Sequence, residues 1–247
     1  MSVMIISDLH LESANDPKLA LFERCIARVA REATCLLILG DLFEAWVGDD
    51  DDGPLASRVA AGLHGLADAG IEIGFQHGNR DFLVGEDYAR RCGMRLLPEV
   101  AAIAIGQQRL LVLHGDSLCT DDLAYQAVRR QFRDPAWQRV FLQRPLAERR
   151  AFAERARVAS RAHAAGAEAS IGDIVPDQAF KLLREHRVST LVHGHTHRPA
   201  IHHDVIDGVP VRRVVTSDWL DDRGEALRVQ TEESGGLKVS RVVIGLA

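Results

Sequence analysis

Short apolar runs rich in Val, Ile and Leu alternate along the chain with longer stretches in which apolar residues recur at helical spacing, the pattern of an α/β protein. Residues 3–6 (VMII), 35–39 (CLLIL), 71–75 (IEIGF), 109–113 (RLLVL), 189–192 (STLV) and 212–215 (RRVV) read as strands. Most are continuous and apolar rather than alternating, as strands covered on both faces tend to be. Between the first two, Pro17 opens a helix predicted to run to about Ala33, with Leu19, Phe22, Ile26, Val29 and Ala30 on one stripe. The tail after Trp219 is expected to complete a second sheet. The chain shows no internal repeat and no low-complexity segment.

The residues just past the strand ends carry the chemistry. After the first strand comes SDLH, after the second GDLFE, after the third QHGNRDF, after the fourth HGDSL and after the fifth HGHTHRP. A lone Asp or His after a strand is ordinarily a turn residue or a satisfied polar group. Five consecutive strands ending in metal-ligand residue types are a different matter, because loops at the carboxyl ends of sheet strands converge in space. The candidate ligands are Asp8, His10, Asp41, Asn79, His114, His195 and His197. Oxygen ligands mixed with imidazoles and no thiolate suit Mn²⁺, Fe²⁺ or Zn²⁺ better than a structural zinc site. His193 reads as packing or as a support behind the ligands.

The ordered set D-x-H, G-D, G-N-x-D, H-G and G-H-x-H, spanning residues 8 to 197, resembles the calcineurin-like metallophosphoesterases. The resemblance implies a four-layer α/β/β/α sandwich holding two divalent metal ions. It places Asp8, His10, Asp41 and His197 on one metal and Asp41, Asn79, His114 and His195 on the other, with Asp41 bridging. A shared carboxylate would hold the cations about 3.5–4 Å apart, where they clamp a phosphoryl group and acidify a water. Within that superfamily, ISDLHL, ILGDLFEAWVGDD, HGNRDFL, LHGDSLCTDD and HGHTHRPA look like the pyrophosphohydrolases of lipid A synthesis. That likeness implies a UDP-linked diacylated glucosamine as substrate, cleaved to UMP and the lipid 1-phosphate by an activated hydroxide attacking the α phosphorus. It further implies Mn²⁺ and peripheral attachment to the cytoplasmic side of the bacterial inner membrane. Asn79, Arg80 and His195 are the catalytic candidates by the same likeness. Asp122, Tyr125, Arg157 and Ser160 join them as substrate contacts. Relatives commonly carry a polar residue and a lysine where this chain has Ala164 and Ala167.

Composition adds a second feature. The 247 residues carry a net charge of -5, but residues 121–165 hold ten arginines against five acidic residues, and five of the thirteen aromatics: Tyr125, Phe132, Trp137, Phe141 and Phe152. Such a segment reads as a helical insertion in a single 1–247 domain, a cap able to grip acyl chains and anionic head groups. An acidic chain is a poor match for nucleic acid, and no protein partner can be named from it. Cys25, Cys35, Cys92 and Cys119 lack metal or disulfide spacing, which suits a reducing compartment. No run approaches the ~20 apolar residues of a membrane span. The acidic stretch at 48–54 reads as a solvated turn before a helix, and Cys119 as an inert buried thiol. Two rival functions remain: a nucleotide or dinucleotide pyrophosphatase acting on soluble substrates, and a non-catalytic scaffold. The insertion argues against the first and the seven clustered ligands against the second, because buried carboxylates and imidazoles are costly to keep without use.

Overall fold

The computed structural model describes residues 2–166 and 173–245, with the backbone alone considered at 161 and 163–166. In chain order the elements begin with β1 (Ser2–Ile6), α1 (Pro17–Glu32), β2 (Cys35–Ile38), α2 (Pro54–Asp68), β3 (Glu72–Phe75), α3 (Glu86–Cys92) and β4 (Arg95–Leu96). A hairpin of β5 (Ala101–Ile105) and β6 (Gln108–Leu113) comes next, then three helices, α4 (Leu123–Phe132), α5 (Pro135–Leu142) and α6 (Leu146–Gly166). The chain closes with α7 (Pro176–His186), β7 (Thr190–His193), β8 (Ala200–Ile206), β9 (Val209–Val215), β10 (Arg223–Thr231) and β11 (Leu237–Gly245). One sheet has the order β11-β10-β1-β2-β3-β4, the other β5-β6-β7-β9-β8.

Strand alternation builds the layers. Along β1 and β2, Val3, Ile5, Cys35 and Leu37 point between the sheets, where they meet Leu110 and Val112 of β6, Val192 of β7 and Val214 of β9. The intervening Met4, Ile6, Leu36 and Ile38 face the opposite way, onto α1, α2 and α3 through Phe22, Val29, Val59, Leu63 and Tyr88. On the second sheet, Leu111, Leu113 and Leu191 face outward onto Ala179 and Leu183 of α7. Strands that are apolar on both faces therefore produce the α/β/β/α sandwich, because each face has its own cover. The α1 helix starts where expected: Pro17 sits at its first turn and the Asp16 carboxylate accepts from the Lys18 amide at 2.9 Å.

The tail corrects one expectation. Instead of completing the second sheet, β10 pairs antiparallel with the open edge of β1, and β11 pairs with β10. Leu227 and Val229 thereby fill the space between the sheets while Ala226 and Val242 pack towards the helices. Hydropathy alone could not choose between two apolar sheet edges.

Helices α4, α5 and α6 lie between β6 and β7, and arginines fasten α4 and α6. In α4, Arg129 donates to Asp116 Oδ2 at 2.8 Å, and just past its end Arg133 donates to the carbonyls of His77 and Gly78 at 3.2 and 3.0 Å. In α6, the buried Arg149 donates to the Val47 carbonyl and pairs with Asp50, while Arg150 pairs with Asp51. The acidic stretch expected to be a solvated turn thus clamps α6. Its Asp49 also accepts from the Gly85 and Tyr88 amides at the start of α3, at 2.9 and 3.0 Å.

Candidate metal centre and substrate cleft

The loops after β1, β2, β3, β6 and β7 converge at one end of the sandwich and are stitched together by backbone. The amide of Asp8 donates to Gly40 O at 3.1 Å, that of His10 to Asp41 O at 2.9 Å, and that of Gly194 to His114 O at 2.7 Å. Among the described residues, seven non-glycine residues have positive φ, and five are candidate ligands: Asp8, His10, Asp41, His195 and His197. A left-handed backbone at non-glycine residues is uncommon and concentrates at functional sites. Here it turns each side chain back over the strand ends. Two glycines are required by close approach: a Cβ on Gly78 would overlap the Asp41 carboxylate, and one on Gly194 would overlap that of Asp8.

The side chains then meet. Ligand atoms of Asp8, His10 and His197 lie within 4.8 Å of one another, as do those of Asp8, Asp41 and His114. Asp41 Oδ2 is 3.7 Å from both His10 Nε2 and His114 Nε2, a position between the two groups. Asn79 Oδ1 lies 3.0 Å from His114 Nε2 and 2.9 Å from His195 Nδ1. All seven expected ligands are therefore brought to one place.

The donor set fits divalent cations. His114 Nδ1 donates to Leu39 O at 2.7 Å, which leaves its Nε2 lone pair facing Asp41. His10 Nδ1 faces Glu44 Oε2 at 2.8 Å, and His197 Nδ1 faces Asp218 at 3.7 Å. Glu44 thereby sets the His10 tautomer and turns its Nε2 lone pair towards Nε2 of His197, 3.3 Å away. Two imidazole nitrogens at that separation need a proton or a cation between them. Although burial opposes charge on His197, Asp8 raises its pKa, so the surroundings favour a cation at this spot. Burial and the neighbouring His114 push His195 down to about 4, which keeps the ring neutral in the neutral pH range. Burial would raise Asp8, yet His197, His114 and His10 hold its carboxyl well below the usual range.

Three further residues build this centre without having stood out in the sequence. Asp81 is buried and accepts from the amides of Leu42, Gly78 and Asp41, at 2.8, 2.9 and 3.2 Å, tying the second loop to the third. Burial and the Asp41 charge push its carboxyl up to about 6. Ser7 donates to Asp8 and sits 2.5 Å from the Thr216 hydroxyl. Asp116, two residues past His114, holds Tyr125 Oη at 2.9 Å along with Arg129. His193 is fully buried, 3.0 Å from Arg213, and Cys119 is a buried free thiol.

A cavity of about 550 Å³ opens beside these ligands, beneath the inserted helices. Its apolar wall is formed by Trp46, Phe82, Val128, Phe132, Trp137 and Phe152. Phe82 stacks on Phe132 at 5.5 Å between ring centroids, and Trp137 on Phe141 at 4.8 Å. Of the expected substrate contacts, Asn79, Arg80, Tyr125, Arg157 and Ser160 line it. Asp122 and His195 do not; the Asp122 carboxylate accepts from the Tyr125 amide at 2.9 Å and caps α4. The Tyr125 ring lies 5.8 Å from that of His195. Arg80 donates its amide to Asp41 Oδ1 at 2.8 Å, and its buried Nε has no hydrogen-bond partner among the described residues. Ala167 lies outside the described residues, as does the side chain of Ala164.

The family model for calcineurin-like phosphoesterases matches residues 1–199. A Stenotrophomonas maltophilia (strain K279a) protein named UDP-2,3-diacylglucosamine hydrolase is 46% identical over 243 residues, covering 96% of each chain. Proteins of the same name from Chromohalobacter salexigens and Aromatoleum aromaticum are 45% and 47% identical, over 94% and 90% of this chain and 94% and 91% of their own. With its metal-ligand loops complete and this likeness running over nearly its whole length, the chain belongs to the calcineurin-like phosphoesterases and, within them, to the UDP-2,3-diacylglucosamine hydrolases.

Proposed function

We propose that this protein hydrolyses the diphosphate of UDP-2,3-diacylglucosamine, releasing UMP and 2,3-diacylglucosamine 1-phosphate for lipid A biosynthesis. The observation that carries the reading is the apolar cavity opening directly beside the ligand cluster, with Arg80 and Asn79 at the junction. Acyl chains suit the aromatic wall, and the diphosphate suits the polar end. The cavity volume lies within the ~300–1,000 Å³ of ligand pockets.

Asp8, His10, Asp41 and His197 would hold one divalent cation, and Asp41, Asn79, His114 and His195 a second. Mn²⁺ is the metal proposed, in keeping with mixed oxygen and imidazole donors. Such cations acidify water and neutralise phosphoryl charge. The chain's own residues supply orientation: Arg80 offers a planar fork of donors to the diphosphate oxygens, and Tyr125 packs against His195. Asp116 fixes Tyr125 and Arg129 together, so the cleft wall and the His114 loop move as one body.

No helix among the described residues is long and apolar enough to cross a membrane. The inserted helices nevertheless expose Leu123, Val140 and Val158, at 76%, 59% and 59%, alongside the exposed Arg130, Arg139 and Arg155. Apolar side chains ringed by arginine suit the surface of an anionic bilayer, where a diacylated substrate resides. Peripheral docking on the cytoplasmic face of the inner membrane accords with that surface.

The test compares kcat/KM for UDP-2,3-diacylglucosamine and UDP-N-acetylglucosamine with Mn²⁺, products being identified by mass spectrometry. The diacylated substrate is expected to be favoured by at least about 100-fold, because acyl binding positions the distant scissile bond. Equal values would transfer the function to a pyrophosphatase of soluble nucleotides.

A further inference from the structure

Glu44 lies three residues beyond Asp41, on the loop after β2, and is buried. Its two carboxylate oxygens face opposite ways. Oε2 is 2.8 Å from His10 Nδ1, and Oε1 is 3.0 Å from Nε of Arg157 on α6. Arg157 also lies 3.4 Å from Glu12 and from Glu154, so it is gripped from the sandwich as well as from its own helix. The same arginine lines the cavity.

A carboxylate placed between His10 and Arg157 does two things. Accepting from Nδ1–H of His10, it fixes the ring's rotation and tautomer and makes Nε2 a more basic ligand. Attracting Arg157, it pulls α6 against the loop that carries Asp41. We infer that Glu44 is a positioning residue joining the metal ligand His10 to Arg157 of the inserted helix, so that metal occupancy and seating of α6 reinforce each other. The inference rests on the proposed two-metal centre. Linkage makes the coupling reciprocal: whatever α6 seating adds to metal affinity, metal adds to α6 seating.

Glu44→Gln tests it at constant volume. The amide has one oxygen, and its NH₂ faces a donor whichever way it turns, so one of the two connections must break. Mn²⁺ alone is titrated into metal-free protein by calorimetry, and hydrogen exchange of α6 amides is followed with and without Mn²⁺. The native chain is expected to bind two Mn²⁺ and to slow exchange in α6 on doing so. In Glu44→Gln one of the two affinities should fall by about 10-fold or more, with α6 exchange no longer responding to metal. Arg157→Gln should weaken the same site, and the double variant should lose no more than Glu44→Gln alone. Unchanged Mn²⁺ affinity in Glu44→Gln, additive losses in the double variant, or metal-independent exchange of native α6 would each overturn the inference while leaving the two-metal site standing. A native chain that binds no Mn²⁺ would overturn both.

Discussion

Asp41→Asn is expected to lower kcat by on the order of 10³-fold, at least what the loss of one preorganised charge-stabilising group costs, while leaving the fold in place. Asparagine is the informative substitution. Asp41 has φ of 52°, a conformation asparagine tolerates and alanine resists, and the amide oxygen can still accept from the Arg80 N–H. What disappears is the charge that two cations would share. In the metal-free protein that charge is a burden: Asp41 lies among buried carboxylates and helps push Asp81 up to about 6. The metal-free variant should therefore melt no lower than the metal-free native protein, while added Mn²⁺ should raise the native melting temperature far more than the variant's. Reversible loss of native turnover on chelation, followed by elemental analysis, completes the experiment. Full turnover in metal-free protein would end the two-metal reading.

The second large effect is at Arg80. Arginine stays charged and cannot deliver a proton, so it gives little help to a basic alkoxide leaving group. It can neutralise charge developing on a diphosphate, whose departing phosphate needs no prior protonation. The structure adds to this residue's weight. It lines the cavity, its buried Nε lacks a hydrogen-bond partner among the described residues, and its amide holds Asp41. Arg80→Ala is expected to cost about 10²–10³-fold in kcat, the range for removing one oxyanion donor. Because the backbone N–H survives the substitution, Mn²⁺ affinity should change little, which separates the side chain's role from the amide's. Attack at the uridine-side phosphorus predicts that hydrolysis in ¹⁸O-water labels UMP and not the lipid phosphate. Label in the lipid product would reverse the direction of attack, and an unimpaired variant would remove Arg80 from the mechanism.

The sequence made the ligand loops legible because strand ends and metal-binding residue types coincide, and coincidence repeated in order has few other causes. The core strands were legible for a related reason: a run apolar on both faces must be covered twice, which dictates layers. Glu44, Asp81 and Asp116 were not legible. Each sits within one of the ligand-loop motifs, but its partner is on another element, His10 and Arg157 for Glu44, the Asp41 and Leu42 amides for Asp81, Tyr125 and Arg129 for Asp116. One signal was available: an aspartate directly after His-Gly at a strand end is buried by position and must find donors. The run of aspartates at 49–52 misled because clustered acids are usually solvated, whereas here the arginines that answer Asp50 and Asp51 are about a hundred residues away. The tail misled because its pattern names a sheet edge without saying which.

The left-handed ligand positions bear on how this protein can change. Five residues held in that conformation cost about 1–3 kcal/mol each where nothing compensates, a total comparable to the whole stability of an average domain. Selection for thermal endurance alone would thus act directly against selection for turnover at the same five codons. A library of this chain propagated only for survival on heating should drift towards glycine and asparagine at Asp8, His10, Asp41, His195 and His197, gaining robustness as it forgets its chemistry. Laboratory evolution that needs both would do better to leave those codons untouched and to strengthen the arginine clamps on the inserted helices.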